Sequence, residues 1–333
     1  MRKPTPRAEG IANMETRSSV SKMANAGLKR PLKGGTRPRV ALVVKRSSWQ
    51  VFVEEKKDAR LRRLLRAKDP SIARMRGSHE EHQKTVDEVK RALDGACADV
   101  ELVGRGNGGF DASRFDLVVT VGGDGTLLSA SHSVLDTPIL AINSAPSHSV
   151  GFFCGARSGE VDIAIRRAFR GSLKRAVLTR MKVTVNGEPV AARILNDALL
   201  CHASPAATSR YILRRGTIEE EQKSSGFWIG PAAGSTAAQR SAGGKVLPLA
   251  SKRLQLVVRE PYTPHGERYR LRHALIAPDE KLVVRSKMHR AKIFFDGPGN
   301  VVQIGFGDVV EFCRADESLT LLGISSRRKW GER

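Results

Sequence analysis

The stretch that decides the fold is Leu117-Val118-Val119-Thr120-Val121-Gly122-Gly123-Asp124-Gly125-Thr126. Its first five residues are rich in β-branched types and read as a buried strand. The apolar run then stops at two glycines, an aspartate, a third glycine and a threonine, and helical spacing resumes over Leu127 to Val134. A strand, a tight glycine turn and a helix start make a place where backbone N–H groups face an anion. Glycine serves such a turn because a Cβ would block a phosphate and because positive φ is often required. Asp124 is the odd member, since a carboxylate repels phosphate. It fits a metal-handling role or the removal of a proton from a hydroxyl that attacks phosphorus. The plain alternative is a strand-to-helix turn capped by Asp124.

Outward from this turn, the N-terminal half alternates strands and helices. Val40 to Lys45 and Val100 to Val103 read as strands, as does Pro138 to Asn143. Val53 to Ala67 and His79 to Leu93 read as charged helices, the second with Val86, Val89 and Leu93 on one side. This order predicts an N-terminal three-layer α/β domain with a parallel sheet. Gly104-Arg105-Gly106-Asn107-Gly108-Gly109 matches G-x-G-x-x-G in form, but Phe110-Asp111-Ala112-Ser113-Arg114 follows instead of an apolar helix, so it reads as a loop.

After residue 175 the texture changes to short alternating segments parted by turn residues. Met181–Val185, Ala192–Leu200, Tyr211–Ile218, Gly226–Ile229, Leu254–Val258, Lys281–Val284, Lys292–Phe295 and Val309–Cys313 predict a C-terminal antiparallel β-rich domain. The fold class is therefore α/β plus all-β. The expected division is a disordered basic tail over 1–38, an α/β nucleotide-binding domain over 39–150, a β-rich domain over 151–320 and a basic tail over 321–333. The last segment of the β-rich part is allowed to return to the first domain.

Composition sets the bounds. A chain of 333 residues suffices for two domains. No apolar run approaches the roughly 18 residues needed to cross a bilayer, and the first residues lack the apolar core of a secretion signal. Cys97, Cys154, Cys201 and Cys313 are scattered, with no C-x-x-C pair, which predicts reduced thiols rather than disulfides or zinc. The expected compartment is the cytoplasm, with the mitochondrial matrix as alternative because residues 1–39 carry ten Lys and Arg against Glu9 and Glu15. The net charge of +23 suits a polyanionic ligand such as a nucleotide and would also suit nucleic acid. Aromatics are only 5%, with no stacking run of the kind single-strand binders use, so no specific nucleic acid is expected.

Two stretches of the β-rich half carry further chemistry. Ile194-Leu195-Asn196-Asp197-Ala198-Leu199-Leu200 sets a polar pair inside an apolar strand, where Asn196 and Asp197 should meet a ligand or form a turn with backbone. Gly230 to Gly244 is small, Gly- and Ser-rich, and opens a helix at Ser235. It lacks the lysine of a Walker A loop. It suits a phosphate or ribose group, or else a surface loop with a helix cap.

In this order and at these separations, the GGDG-T turn, the Asn-acid pair and the G-S-T-A start ending in S-A-G-G resemble the NAD kinase family. The likeness runs from about Arg39 to about Asp316. The long Asn143-Ser144-Ala145-Pro146-Ser147-His148-Ser149-Val150-Gly151-Phe152 segment resembles the mitochondrial-type subgroup and its bacterial relatives. So does Gln222-Lys223-Ser224-Ser225-Gly226, with Ser225 in an aspartate's place. The resemblance implies transfer of the ATP γ-phosphoryl group to the 2′-hydroxyl of the adenosine ribose of NAD, giving NADP. It implies Asp124 as general base. Gly122, Gly123, Gly125 and Thr126 would lie at the ATP phosphates, with Mg²⁺ carried in by ATP rather than by a protein metal cluster. Asn196, Asp197, Lys223, Ser225, Thr236, Ala237 and Ser241 would line the NAD pocket. It also implies a homodimer or larger homo-oligomer, with Lys223 as an alternative placed across its interface. One position departs: after G-S-T-A the family usually places an aromatic beside the nucleotide, and here stands Ala238. A diacylglycerol-type lipid kinase shares the GGDG turn and is the enzymatic alternative. A non-catalytic nucleotide-binding protein is the other.

Overall fold

The computed structural model describes residues 37–104, 109–263 and 268–327. Residues 1–36 of the first expected tail, 328–333 of the second and positions 105–108 of the glycine loop lie outside them. In chain order the elements are β1 (Arg39–Val44), α1 (Ala59–Arg66), α2 (Ala73–Gly95), β2 (Asp99–Leu102), β3 (Leu117–Gly122), α3 (Asp124–Ser131), β4 (Ile139–Asn143), β5 (Ala156–Arg157) and α4 (Val161–Phe169). Then follow β6 (Arg175–Val185), β7 (Glu188–Ile194), β8 (Ala198–His202), β9 (Ser209–Arg215), β10 (Ile218–Ser224), β11 (Phe227–Pro231), α5 (Ala238–Ser241) and β12 (Leu254–Val258). The last are β13 (His273–Ile276), β14 (Lys281–Ser286), β15 (Ala291–Phe295), β16 (Asn300–Ile304) and β17 (Val309–Leu322).

β2, β1, β3 and β4 lie side by side, all parallel. Every residue of β3 and β4 is buried because helices cover both faces. Ala41, Val43, Val118, Ile139 and Ala141 pack toward Leu127 and Ala130 of α3. Their neighbours Val40, Leu42, Leu117, Val119 and Ile142 pack toward Val86, Val89 and Leu93 of α2 and Ile165 of α4. The period of two sorts them to opposite faces and produces the three layers.

The same sheet continues into the second half. Leu321 and Leu322 of β17 pair in parallel with Ile139 and Leu140 of β4, while the start of β17 pairs antiparallel with β14. Beyond lie β9 and β10, also antiparallel. A second sheet, in the order β13-β12-β11-β8-β15-β16, is antiparallel in its described pairings. Its Leu200, Phe227, Ile229 and Ile293 meet Tyr211, Leu213, Val284 and Phe312 of the first sheet in a core of their own.

Several local expectations change. The charged segment at Val53 is a π-helical turn over Trp49–Glu55, ended where Lys57 takes φ 51°, and α1 restarts after Asp58 caps Leu61 N–H. Tyr211–Ile218 is a hairpin turning at Gly216, whose φ of 55° suits glycine. Ala192–Leu200 is two strands broken at Leu195–Asp197. Residues 321–324, expected to begin a tail, are core: Leu321, Leu322 and Ile324 are buried.

Candidate functional site

The glycine turn sits at the carboxyl end of β3, with Gly123 as the cap of α3 and Asp124 as its first residue. The N–H groups of a helix's first turn have no acceptor within the helix. The glycines are used for closeness rather than for handedness. A Cβ on Gly122 would collide with the Thr126 hydroxyl, and neither Gly122, Gly123 nor Gly125 has positive φ. Thr126 is thereby buried beneath the turn, whereas Gly125 faces open space. The half-buried Asp124 carboxylate is held from across the sheet edge. Phe152 N–H donates to Oδ2 at 2.9 Å and Phe153 N–H to Oδ1 at 2.8 Å. The plain reading, in which Asp124 caps its own helix, does not describe this arrangement, because α3 is capped with no side-chain bond.

The loop that supplies those amides returns from β4. Asn143 Nδ2 donates to Ser149 O at 2.9 Å, and a Cβ on Gly151 would strike the Asn143 side chain. The loop also borders a cavity of about 890 Å³ whose lining includes Asn143, Ser149, Gly151, Lys174 and Arg327. Asp124, Asn196 and Asp197 do not line it, so the cavity and the Asp124 turn are separate features sharing one loop.

The Asn196–Asp197 pair occupies the break between β7 and β8. The main-chain N–H groups of Leu195, Asn196 and Asp197 all donate to the Asp296 carboxylate, at 2.9, 2.6 and 3.1 Å. Asn196 Nδ2 donates to Asp197 Oδ2 at 3.3 Å. Asp197 is 5% exposed, and burial together with the Asp296 charge pushes its carboxyl up to about 7. The G-S-T segment packs directly on this break. A Cβ on Gly234 would land on the Asn196 carbonyl oxygen, and Gln239 Nε2 donates to that oxygen at 3.4 Å.

That segment is not the expected helix start. Ala232–Thr236 is a 3-10 turn and α5 is one turn long. Ser235 is buried, donating to Ala232 O at 2.6 Å and accepting Leu247 N–H at 2.9 Å, so its hydroxyl is engaged within the protein. Thr236 and Ala237 are half-buried beside the Asn196 break, and Ser241 is exposed.

Both clusters meet on α3. Its first residue is Asp124, and its C-cap is His132, whose Nε2 lies 3.0 Å from Asp296 Oδ2 at ion-pair distance, off the hydrogen-bond direction. Arg193 Nη1 donates to His132 O at 2.9 Å, and its Nε donates to Glu317 Oε2 at 2.6 Å. Arg180, with 0% exposure, donates from Nη1 to Val134 O at 2.7 Å, and burial pushes its guanidinium down to about 10. The two clusters are thus tied through a helix about 12 Å long, from eight residues at ~1.5 Å each.

The described backbone hydrogen bonds of Lys223 and Ser225 run to other segments than the Asn196 break. Ser225 N–H donates to Arg259 O and Lys223 N–H to the Tyr269 hydroxyl, beyond the start of β11. Ser225 lies at a bend before Gly226, whose φ is 95°, and β11 begins only at Phe227. Sequence reading missed Asp296, His132, Arg180 and the Phe152–Phe153 amides as members of the site. Asp296-Gly297-Pro298-Gly299 reads only as a turn, and nothing in its spacing pairs it with residues one hundred positions away.

Comparison with known proteins places residues 35–173 within the family model described as the ATP-NAD kinase N-terminal domain. The probable NADH kinase of Oryza sativa subsp. japonica is 32% identical over 252 residues, 69% of this chain and 78% of that protein. The NADH kinase of Arabidopsis thaliana is 32% identical over 228 residues, 59% of this chain and 69% of that protein. Among solved structures, an NAD kinase from Archaeoglobus fulgidus in complex with ATP shares the fold. Its TM-score is 0.62 at 20% identity, covering 85% of this chain and 92% of that one.

Proposed function

This chain belongs to the NAD kinase family, and from that premise we propose how its residues carry out phosphoryl transfer to NAD. The reaction joins a phosphoryl group to the 2′-hydroxyl of the adenosine ribose, giving NADP. Asp124 is the general base. Its carboxylate is fixed by the amides of Phe152 and Phe153, and it takes the hydroxyl proton as the bond to phosphorus forms. Asn196 and Asp197 hold the acceptor's ribose and phosphate groups, with Thr236, Ala237 and Ser241 along the same side. ATP is the donor, its phosphates lying against the Gly122, Gly123 and Gly125 backbone. The open space at Gly125 fits such a group. Mg²⁺ arrives with the nucleotide and, when bound, neutralises charge on its phosphate oxygens. Lys45, whose Cβ abuts Gly122, adds positive charge at the turn.

The observation that carries this reading is the single frame formed by α3, with Asp124 at one end and the Asn196–Asp197 break anchored at the other. A loose transition state of phosphoryl transfer gains most from positioning and charge neutralisation, which such a frame supplies. The lipid-kinase alternative is not favoured, since the related proteins above are NAD(H) kinases.

We extend the proposal to assembly: a homodimer or larger homo-oligomer in which Lys223 and Ser225 of one copy reach the dinucleotide site of another. Within one chain their described backbone hydrogen bonds run to Tyr269 and Arg259 rather than to the Asn196 break, which suits this reading. Among the described residues no helix is long and apolar enough to cross a membrane. Four free cysteines suit a reducing compartment, the cytoplasm or the mitochondrial matrix. The deciding experiment is NADP formation from NAD, ATP and Mg²⁺, repeated with NADH and with inorganic polyphosphate. Lipid phosphorylation without NADP formation would overturn the assignment.

A further inference from the structure

Asp296 stands one residue past β15, with its backbone at φ 48°, a left-handed conformation uncommon for residues other than glycine. Its side chain is 1% exposed. A carboxylate taken out of water must be compensated, and here main-chain amides do so. Three consecutive amides, those of Leu195, Asn196 and Asp197, converge on its two oxygens, and the His132 ring approaches at 3.0 Å. The Asp296 N–H donates back to Asp197 O at 3.0 Å, closing the contact on both sides. Successive N–H groups folded around an anion form a nest, and here the anion is a side chain one hundred residues distant.

A local staple would need only the amides. The His132 contact reaches further, because it joins the nest to the end of the helix that begins with Asp124. At that same helix end Arg193 and Arg180 take the carbonyls of His132 and Val134. Resting on the NAD kinase reading, we propose that Asp296 is a positioning residue for the dinucleotide acceptor. It locks the Asn196–Asp197 backbone to α3, so that the acceptor-binding groups and the base share one rigid frame. The charged and titratable groups around it are His132 from α3, Asp197 from the β7–β8 break, Arg180 from β6, Arg193 from β7 and Glu317 from β17.

The test uses the full chain and two variants. In Asp296→Asn one acceptor oxygen becomes an NH₂ facing amide donors, so at least one buried N–H loses its partner. In His132→Gln the nest stays intact and only the link to α3 is altered. For Asp296→Asn the expected result is a KM for NAD raised about tenfold or more, with the KM for ATP within about twofold. Amide exchange at 195–197 should speed up by about tenfold or more. With the neighbouring charge gone, the limb of kcat/KM set by Asp197 should move to lower pH. His132→Gln should show the same KM split, smaller in size, with unchanged exchange at 195–197. Faster exchange with both KM values unchanged would overturn the proposal by making Asp296 a staple only. So would an equal rise in the two KM values. Should the wild-type protein form no NADP, the kinase reading fails separately. Asp296 is then judged by calorimetry with NAD, where an unchanged Kd in Asp296→Asn overturns its positioning role.

Discussion

The Asp124 turn and the Asn196–Asp197 break do comparable work by opposite means. The turn is built largely from neighbours in sequence. β3 delivers it, Gly122 admits the Thr126 side chain, and α3 starts at once. The break is built from afar, by Asp296, Gly234 and Gln239, with only Asn196 and Asp197 supplied locally. The difference teaches where each half of the site is vulnerable. The turn presents one carboxylate from a local segment, whereas geometry at the break depends on contacts among segments that meet only in the folded chain.

The sharpest way to break the comparison is Asp124→Asn. It should lower kcat by roughly 10²–10⁴, the range of a lost acid–base group, with little change in NAD affinity. Steady-state rates and calorimetry measure the two, and a near-normal kcat would remove Asp124 from its role. Next in size is Gly234→Ala. The new methyl meets the Asn196 carbonyl, which is backbone and cannot swing aside. The fold should lose about 1–3 kcal/mol, as overpacking does. The KM for NAD should rise by about tenfold, while that for ATP holds. Thermal melts and kinetics together read this out, and equal effects on both substrates would place the break outside the acceptor site.

A third prediction concerns pH. Burial and Asp296 raise Asp197 to about 7, far above an exposed carboxylate. A carboxyl raised in the folded state stabilises the fold while protonated. That contribution is full below about pH 4 and is lost as pH rises through about 7. Asp197→Asn stays neutral throughout, so its melting temperature should exceed that of wild type by roughly 2–8 °C at pH 8 and match it near pH 4. A constant difference across pH would deny the titration. The smallest expected effect is a gain. Ala238→Tyr restores the aromatic that the family usually carries, and stacking of about 1 kcal/mol should tighten NAD several-fold. Unchanged affinity would mean that the nucleotide does not pass Ala238.

Much of the architecture was legible. β3, β4 and β12 are mostly apolar and buried along their length, and the alternation of faces in β1, β3 and β4 needs nothing beyond the period of the strand. The misreadings share a cause. Ala192–Leu200 reads as one strand with a polar pair inside it, yet the ladder stops at that pair, where Asp296 captures three amides. Ser235 was expected to open a helix, yet its hydroxyl is consumed by Ala232 and Leu247. Residues 321–324 were assigned to a tail, yet β4 offers Leu321 and Leu322 a parallel edge.

Residue order alone therefore determined the strand-turn-helix around Asp124, the two textures of the chain and the polar pair that stands out at Asn196–Asp197. Backbone propensity and hydrophobic period act over a few residues, and both were written there. Only the tertiary structure decided that Phe152 and Phe153 hold the Asp124 carboxylate, that Asp296 gathers the three amides of the break, and that His132 at the end of α3 comes within 3.0 Å of Asp296. Those outcomes depend on buried charges seeking donors, and a donor's distance along the chain says nothing of its distance in space.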